Sequence, residues 1–248
     1  MNGVLRTAWN IFPFKRAARR LHRSRATPVH WPHAVRVCHI LTIDYGYLKT
    51  VARHECVDAD GHPIPWYTYP ALEYIRQLDF RHRAVFEYGS GNSTLFWSAI
   101  AGRVVSVEHD REWFERMRSI VPANCQMLFS SDADGYVNAV RQTGPFDVII
   151  IDGQSRLRCA PVALEALRPG GLIILDNSDW FPQTSAALRA QNLIEVDMAG
   201  FGPINDYTST TSFYFHPQFA TLPRSDRQPV PGIGSRPNSF DEAWWSPG

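Results

Sequence analysis

Long apolar runs are missing from this sequence. None approaches the ~20 residues that a membrane-spanning helix requires. The segment from Met1 to Phe14 also lacks the uninterrupted apolar centre and the cleavage site of a secretory signal. We therefore expect a protein that neither spans a membrane nor leaves the cell by the secretory route.

Cysteine is scarce as well. The chain has four, Cys38, Cys56, Cys125 and Cys159, and no two of them form a Cys-x-x-Cys pair. This spacing argues against a zinc ribbon and against a dense disulfide framework. A reducing, cytoplasmic environment is the expected one.

Acidic residues are absent from the first 28 positions, which hold seven basic side chains. The chain has 25 Lys and Arg against 24 Asp and Glu, so the remainder has 18 basic against 24 acidic residues, a balance of −6. A body this acidic cannot systematically neutralise phosphates, and we expect no specific nucleic-acid partner. The arm, residues 1–35, could instead lie on an anionic membrane surface as a basic helix. A solvated arm is the alternative, because Pro13 breaks the apolar periodicity.

Short apolar runs alternate with helical segments over most of the chain. Five such runs with intervening helices of about ten residues predict a parallel sheet with helices on both faces. Two further runs, joined by the turn from Gly200 to Pro203, predict an antiparallel C-terminal hairpin. The fold class is therefore α/β, with a doubly wound, mostly parallel seven-stranded sheet. The predicted strands are 84–88, 104–108, 126–129, 146–151, 172–175, 193–197 and 211–216.

One domain with extensions accounts for the length. Residues 36–216 form the predicted main domain, whose helix over 70–79 precedes the first strand. Near its start the turn cluster at 58–61 predicts a hairpin between 47–52 and 63–66. Residues 217–248 are rich in Pro, Ser, Arg and Gly, which predicts an extended tail.

The most informative stretch is 85–94, an apolar strand that runs into a glycine turn and then a helix. Gly89 and Gly91 permit a tight turn and a close approach of the backbone to a ligand. A Walker A loop is excluded because no Gly-Lys-Ser/Thr follows, and the dinucleotide pattern Gly-x-Gly-x-x-Gly fails at Thr94. A second signal is Glu108, which ends the next strand 19 residues after Gly89. In a parallel sheet this carboxylate lies beside the glycine turn and can accept hydrogen bonds from a ribose.

The pairing of Glu87-x-Gly89-x-Gly91 with Glu108 resembles the class I S-adenosylmethionine-dependent methyltransferases, over roughly residues 63–216. The resemblance implies a Rossmann-like methyltransferase fold with S-adenosylmethionine as cofactor. It places the glycines and Glu87 at the methionine end of the cofactor, Glu108 at the ribose and His109 at the adenine. Asp132 would approach the adenine amino group or, alternatively, begin the helix near Gly135. The implied cofactor-binding residues are Glu87, Gly89, Ser90, Gly91, Ser93, Thr94, Glu108, His109 and Asp132.

Carboxylates also end the fourth and fifth predicted strands, where the reactants of open α/β sheets meet. Asp152 ends one strand, and Asp176 with Asn177 ends the other. This set is similar to that of the cation-dependent small-molecule O-methyltransferases, and the resemblance implies Mg²⁺ ligation by Asp152, Asp176 and Asn177. In the alternative, Asp152 positions the reactants without a metal and the Asp-Asn pair forms a turn. Arg156 could face inward and hold an anionic group of the acceptor.

The predicted reaction is methyl transfer from the sulfonium to a small-molecule or sugar-like acceptor, at oxygen in preference to nitrogen. Asp152 and Arg156 are the predicted catalytic residues. Two alternatives stay open: aminopropyl transfer from a related adenosyl compound, and a non-enzymatic module that binds the cofactor at a membrane. A nicotinamide-dependent oxidoreductase is disfavoured by the missing third glycine.

Overall fold

A computed structural model describes residues 31–226 and 228–236. The predictions for residues 1–30 and 237–248 lie outside the described residues. Seven strands form one sheet, in the order β3-β2-β1-β4-β5-β7-β6. The strands are β1 Ala84–Tyr88, β2 Arg103–Glu108, β3 Cys125–Phe129, β4 Phe146–Ile151, β5 Leu167–Leu175, β6 Ile194–Phe201 and β7 Thr208–Phe215.

Strands β1 to β5 are parallel, and β7 lies antiparallel between β5 and β6. The predicted doubly wound sheet with a C-terminal hairpin is confirmed. β5 begins at Leu167, earlier than predicted, because Leu167 pairs with Phe146 ahead of a register shift. The helices are α1 Trp31–His39, α2 Tyr47–Arg53, α3 Tyr69–Ile75, α4 Asn92–Ile100, α5 Arg111–Arg118, α6 Ala133–Thr143, α7 Arg156–Ala166 and α8 Pro182–Arg189.

Helices cover both faces of the sheet, and the core lies between them and the strands. Successive side chains of a strand point to opposite faces. From β1, Phe86 and Tyr88 pack towards α6 and α7, whereas Val85 packs towards α3 and α4. Every residue of β1 is buried, as expected of a central strand with helices on both sides. Each large apolar side chain buried in this way contributes about 1.5–3 kcal/mol.

The segment before β1 differs from the predicted hairpin. Residues 47–53 form α2, and only Val57 and Pro63 pair in an antiparallel bridge. Gly46, with φ +77°, immediately precedes α2. Thr50 lies within this helix, and its side chain is buried. Its hydroxyl accepts a hydrogen bond from the backbone N–H of Ile204 at 2.8 Å, a contact that links α2 to the β6–β7 connection.

No helix in the described ranges is long and apolar enough to cross a membrane. The four cysteines all lie within the described ranges, and none forms a disulfide.

Candidate active site

A cavity of about 780 Å³, which we call the large cavity, opens at the carboxyl ends of β1, β2 and β4. Its volume is within the range of small-molecule and cofactor sites. Six of the nine predicted cofactor-binding residues line it, together with both predicted catalytic residues. These are Glu87, Gly89, Ser90, Ser93, Glu108, His109, Asp152 and Arg156.

A smaller cavity of about 290 Å³, the small cavity, adjoins the large one. Ser90, Ser93, Trp113 and Asp152 line both cavities. The remaining walls of the small cavity include residues from the end of α2, the segment before α3, the start of α4 and the β6–β7 connection. Two ligands, one in each cavity, would therefore meet at the shared wall.

The glycine turn brings the ends of β1 and β4 together. Gly89 has φ +99°, a conformation that favours glycine, and a Cβ there would lie 3.3 Å from the Cα of Gly153. A Cβ on Gly153 would lie only 2.0 Å from the Tyr136 hydroxyl oxygen. Sequence reasoning missed Gly153, although its place directly after a strand-end aspartate is the local signal for a close backbone approach.

Glu87 is buried below the turn and reaches the floor of the large cavity. Thr94 Oγ1 donates to Glu87 Oε2 at 2.5 Å and accepts from the N–H of Gly91 at 3.0 Å. Burial raises the pKa of Glu87 to about 7, although hydrogen bonds from Ser93 and Thr94 act in the opposite direction. Thr94 is fully buried, so it positions Glu87 and the turn from beneath. A Cβ on Gly91 would meet no atom within 4 Å, and Gly91 itself lines the small cavity.

Glu108 ends β2 with its carboxylate held in one orientation. Its Oε1 accepts from the backbone N–H groups of His109 at 2.8 Å and Asp110 at 3.0 Å. Its Oε2 accepts from Ser90 Oγ at 2.7 Å, which ties the carboxylate to the glycine turn. Oε2 keeps acceptor capacity towards the large cavity, as a ribose hydroxyl would require. The ring of His109 lies beside Glu108 in the same wall.

Asp132 is placed differently from the other predicted cofactor residues. Its Oδ1 accepts from the N–H of Gly135 at 2.6 Å, so Asp132 caps the first turn of α6. It is exposed and is not part of the large-cavity wall. The capping alternative therefore describes its contacts in this structure.

Arg156 joins the ends of β4 and β5. Its guanidinium donates to Asp152 Oδ1 at 3.0 Å, to the carbonyl oxygen of Gly153 at 3.1 Å and to that of Asp176. It also stacks 4.2 Å from the ring centroid of Phe181. These donors are engaged within the protein, so the geometry gives Arg156 a positioning role and leaves it little capacity to hold an acceptor.

Two buried carboxylates lie beside this arginine. Burial raises the pKa of Asp152, and Arg156 opposes that rise. The pKa of Asp176 is raised well above its ordinary value, by burial first and by the Asp152 carboxylate second. Asp176 Oδ1 accepts from Thr211 Oγ1 at 2.6 Å, a partner on β7 that the sequence did not reveal.

This donor set does not fit a divalent cation. The Arg156 guanidinium already neutralises Asp152 through the 3.0 Å contact to Oδ1, and Thr211 already donates to Asp176 Oδ1, so one oxygen of each carboxylate is engaged within the protein. Asn177 has φ +48°, in the left-handed region that Asn tolerates well, which agrees with a turn role.

Comparisons with known proteins bear on the domain and on the fold. Residues 86–178 match the model of a family described as a methyltransferase domain. The fold is similar to that of an O-methyltransferase from Bacillus cereus solved with SAH, at 19% identity and TM-score 0.50, over 68% of this chain and 90% of that one. It is also similar to the O-methyltransferase TomG from Streptomyces achromogenes, involved in tomaymycin synthesis and solved with SAM, at 16% identity and TM-score 0.49, over 70% of this chain and 89% of that one. No curated protein matches the sequence.

The matched segment runs from β1 to the turn after β5 and contains the glycine turn, Glu108 and Asp152. It therefore covers every residue of the large-cavity wall except Phe181, and it includes the wall shared with the small cavity. Residues 86–178 therefore form a methyltransferase domain, and the chain has the class I methyltransferase fold, as the sequence predicted.

Proposed function

We propose that this enzyme transfers a methyl group from S-adenosylmethionine to a hydroxyl oxygen of a small-molecule acceptor. The observation that carries the proposal is the position of Asp152 in the wall shared by the two cavities. The donor would occupy the large cavity, where Glu108 and His109 are arranged for an adenosine, and the acceptor would occupy the small one. The SAH found in the Bacillus cereus protein supports the choice of donor.

When bound, S-adenosylmethionine supplies an electrophilic methyl group. A lone pair of the acceptor oxygen forms the new bond to carbon, the methyl–sulfur bond breaks, and its electron pair stays on sulfur. Asp152 accepts the hydroxyl proton, and its raised pKa makes it a stronger base than an ordinary carboxylate. Arg156 fixes the direction of that carboxylate through the 3.0 Å contact to Oδ1. The remaining contribution of the protein is alignment of the reactants and exclusion of water.

The test uses the full chain, S-adenosylmethionine with an isotopically labelled methyl group, and the small molecules of a cell extract. We expect the label in one low-mass product at oxygen, with SAH as the second product. Asp152→Asn keeps the shape and an acceptor for Arg156 but cannot take the proton. We expect it to slow turnover by about 100-fold or more while SAH affinity stays unchanged. A product that gains an aminopropyl group, or a variant with the full rate, would contradict the proposal.

We also propose that the arm, residues 1–35, contacts an anionic membrane surface from the cytoplasm. The support comes from α1, which follows the basic segment and has no buried residue. Trp31 and Val35, one turn apart, are 52% and 63% exposed. Seven basic residues precede them, and each contributes about 1 kcal/mol near an anionic leaflet. The free cysteines suit the reducing conditions of the cytoplasm.

A further inference from the structure

The walls of the small cavity that are not shared with the large one come from outside the matched segment 86–178, apart from Gly91 and Asn92. His54, Glu55 and Cys56 follow α2, Trp66 precedes α3, and Ile204 lies in the β6–β7 connection. These parts of the chain surround the site where an acceptor would bind. The chemistry of their side chains therefore selects the acceptor.

Two indole rings line the small cavity, and both have their N–H groups satisfied by the protein. Trp66 Nε1 donates to Asn205 Oδ1 at 3.2 Å, and Trp113 Nε1 donates to the carbonyl oxygen of Ser90 at 2.9 Å. With the N–H groups engaged, the rings offer a ligand mainly their apolar surfaces. Ile64 and Ile204 add further apolar surface. A planar ring is the ligand shape that such walls accommodate best.

The titratable groups that line the small cavity are the carboxyl groups of Glu55 and Asp152, the Cys56 thiol and the imidazole of His54. Glu55 and Asp152 contribute carboxylates, and within the described part of the chain no Lys or Arg lines this cavity. Burial raises the pKa of the Cys56 thiol to about 12, so this wall residue is neutral near pH 7. An anionic acceptor would lose hydration here without finding an opposite charge. A cationic acceptor would find Glu55.

We infer that the small cavity binds a single-ring, planar acceptor that is neutral or positively charged, and that Trp66 and Glu55 select it. This inference rests on the proposed function, because it assigns the acceptor to the cavity beside the donor. The volume of about 290 Å³ suits one ring with a short side chain.

Three phenols that share a ring and differ in the charge of the side chain test the inference: tyramine, tyrosol and 4-hydroxyphenylacetate. Each is titrated calorimetrically into the full chain saturated with SAH. We expect tyramine to bind most tightly, tyrosol next, and 4-hydroxyphenylacetate at least tenfold more weakly than tyramine. Glu55→Gln should reduce the advantage of tyramine over tyrosol about fivefold, as loss of one partly solvated charge contact would.

Trp66→Ala should weaken binding of tyramine and tyrosol about tenfold or more and leave SAH affinity unchanged. The matched control is Trp180→Ala, which removes an indole that is 55% exposed and lines neither cavity. It should change neither affinity. Equal or tighter binding of the anionic phenol, or a Trp66→Ala variant that binds like the wild type, would overturn the inference. Failure of all three phenols to bind the SAH-loaded protein would also overturn it and leave the proposed function standing, whereas failure of SAH to bind would contradict the proposed function itself.

Discussion

Gly153 and Gly91 should respond in opposite ways to the same substitution. A Cβ on Gly153 would lie 2.0 Å from the hydroxyl oxygen of the buried Tyr136 and 2.9 Å from both the nitrogen of Gly89 and the carbonyl oxygen of Tyr88. None of these atoms can move without shifting the end of β1 or the packing of α6. Overpacking of this kind costs about 1–3 kcal/mol, and we expect Gly153→Ala at the upper end of that range.

Gly91→Ala is the matched control for stability. Its backbone is extended, with φ 167°, and a Cβ would meet no atom within 4 Å. We expect its free energy of unfolding to stay within about 0.5 kcal/mol of the wild type. The same Cβ would add a methyl group to the wall of the small cavity, which Gly91 lines, so acceptor affinity should fall about tenfold or more while SAH affinity changes less. Gly91 would then be needed for ligand binding, and Gly153 for the stability of the fold.

A double-mutant cycle separates the causes of the Gly153→Ala loss. Tyr136→Phe removes the oxygen that the new methyl group would meet first, so the double variant should regain about 1 kcal/mol relative to additivity. The backbone contacts at 2.9 Å stay, and recovery should be incomplete. Urea unfolding followed by circular dichroism gives the free energies. Equal stability losses for Gly153→Ala and Gly91→Ala would refute this reasoning, as would a wild-type stability for Gly153→Ala.

Four further predictions follow from the site and the arm. Glu108→Gln retains an oxygen for the two backbone N–H groups but presents an N–H donor to the ribose. The binding free energy of SAH, measured by calorimetry, should therefore weaken by about 1.5–3 kcal/mol. The surface variant Glu165→Gln is the control and should bind SAH as the wild type does. The pKa of Glu87 is raised from 4.5 to about 7, so the free energy of unfolding should fall as pH rises between these values. Glu87→Gln should lessen that fall. Parallel pH profiles of the wild type and the variant in urea unfolding would contradict this prediction. Excess chelator should leave the rate of methyl transfer unchanged. A rate that falls with chelator and is restored by Mg²⁺ would show that a metal takes part in the reaction. Removal of residues 1–28 should abolish flotation with anionic vesicles at low salt, and equal recovery of both forms would exclude the arm as an anchor.

The sheet and the cofactor cavity could be predicted because their signals are local. The strand from Ala84 to Tyr88 is a short apolar run ended by Gly89, and such a run next to a glycine turn has few alternative structures. Glu108 follows from the same logic, since the register of parallel strands places its end beside that turn. These positions are determined by residues close to them in the sequence.

The features that could not be predicted depend on distant partners. Residues 47–53 form a helix whose Thr50 accepts a hydrogen bond from Ile204, 154 positions later, and no local pattern contains such a contact. The hydrogen bond from Thr211 to Asp176 also joins residues 35 positions apart, across the β5–β7 pair. Arg156 makes hydrogen bonds at the ends of two strands and stacks on Phe181, and these contacts depend on how the three parts are placed in the fold. Spacing alone could place Arg156 near the site but could not show that its donors are occupied.

The most direct test of the central claim is a calorimetric titration of the full chain with SAH, with NAD as the competing adenosine-containing ligand. The account predicts one SAH site per chain, affinity that Glu108→Gln lowers by about 10- to 150-fold, and no measurable displacement of SAH by NAD. Tight binding of NAD together with no binding of SAH would contradict it.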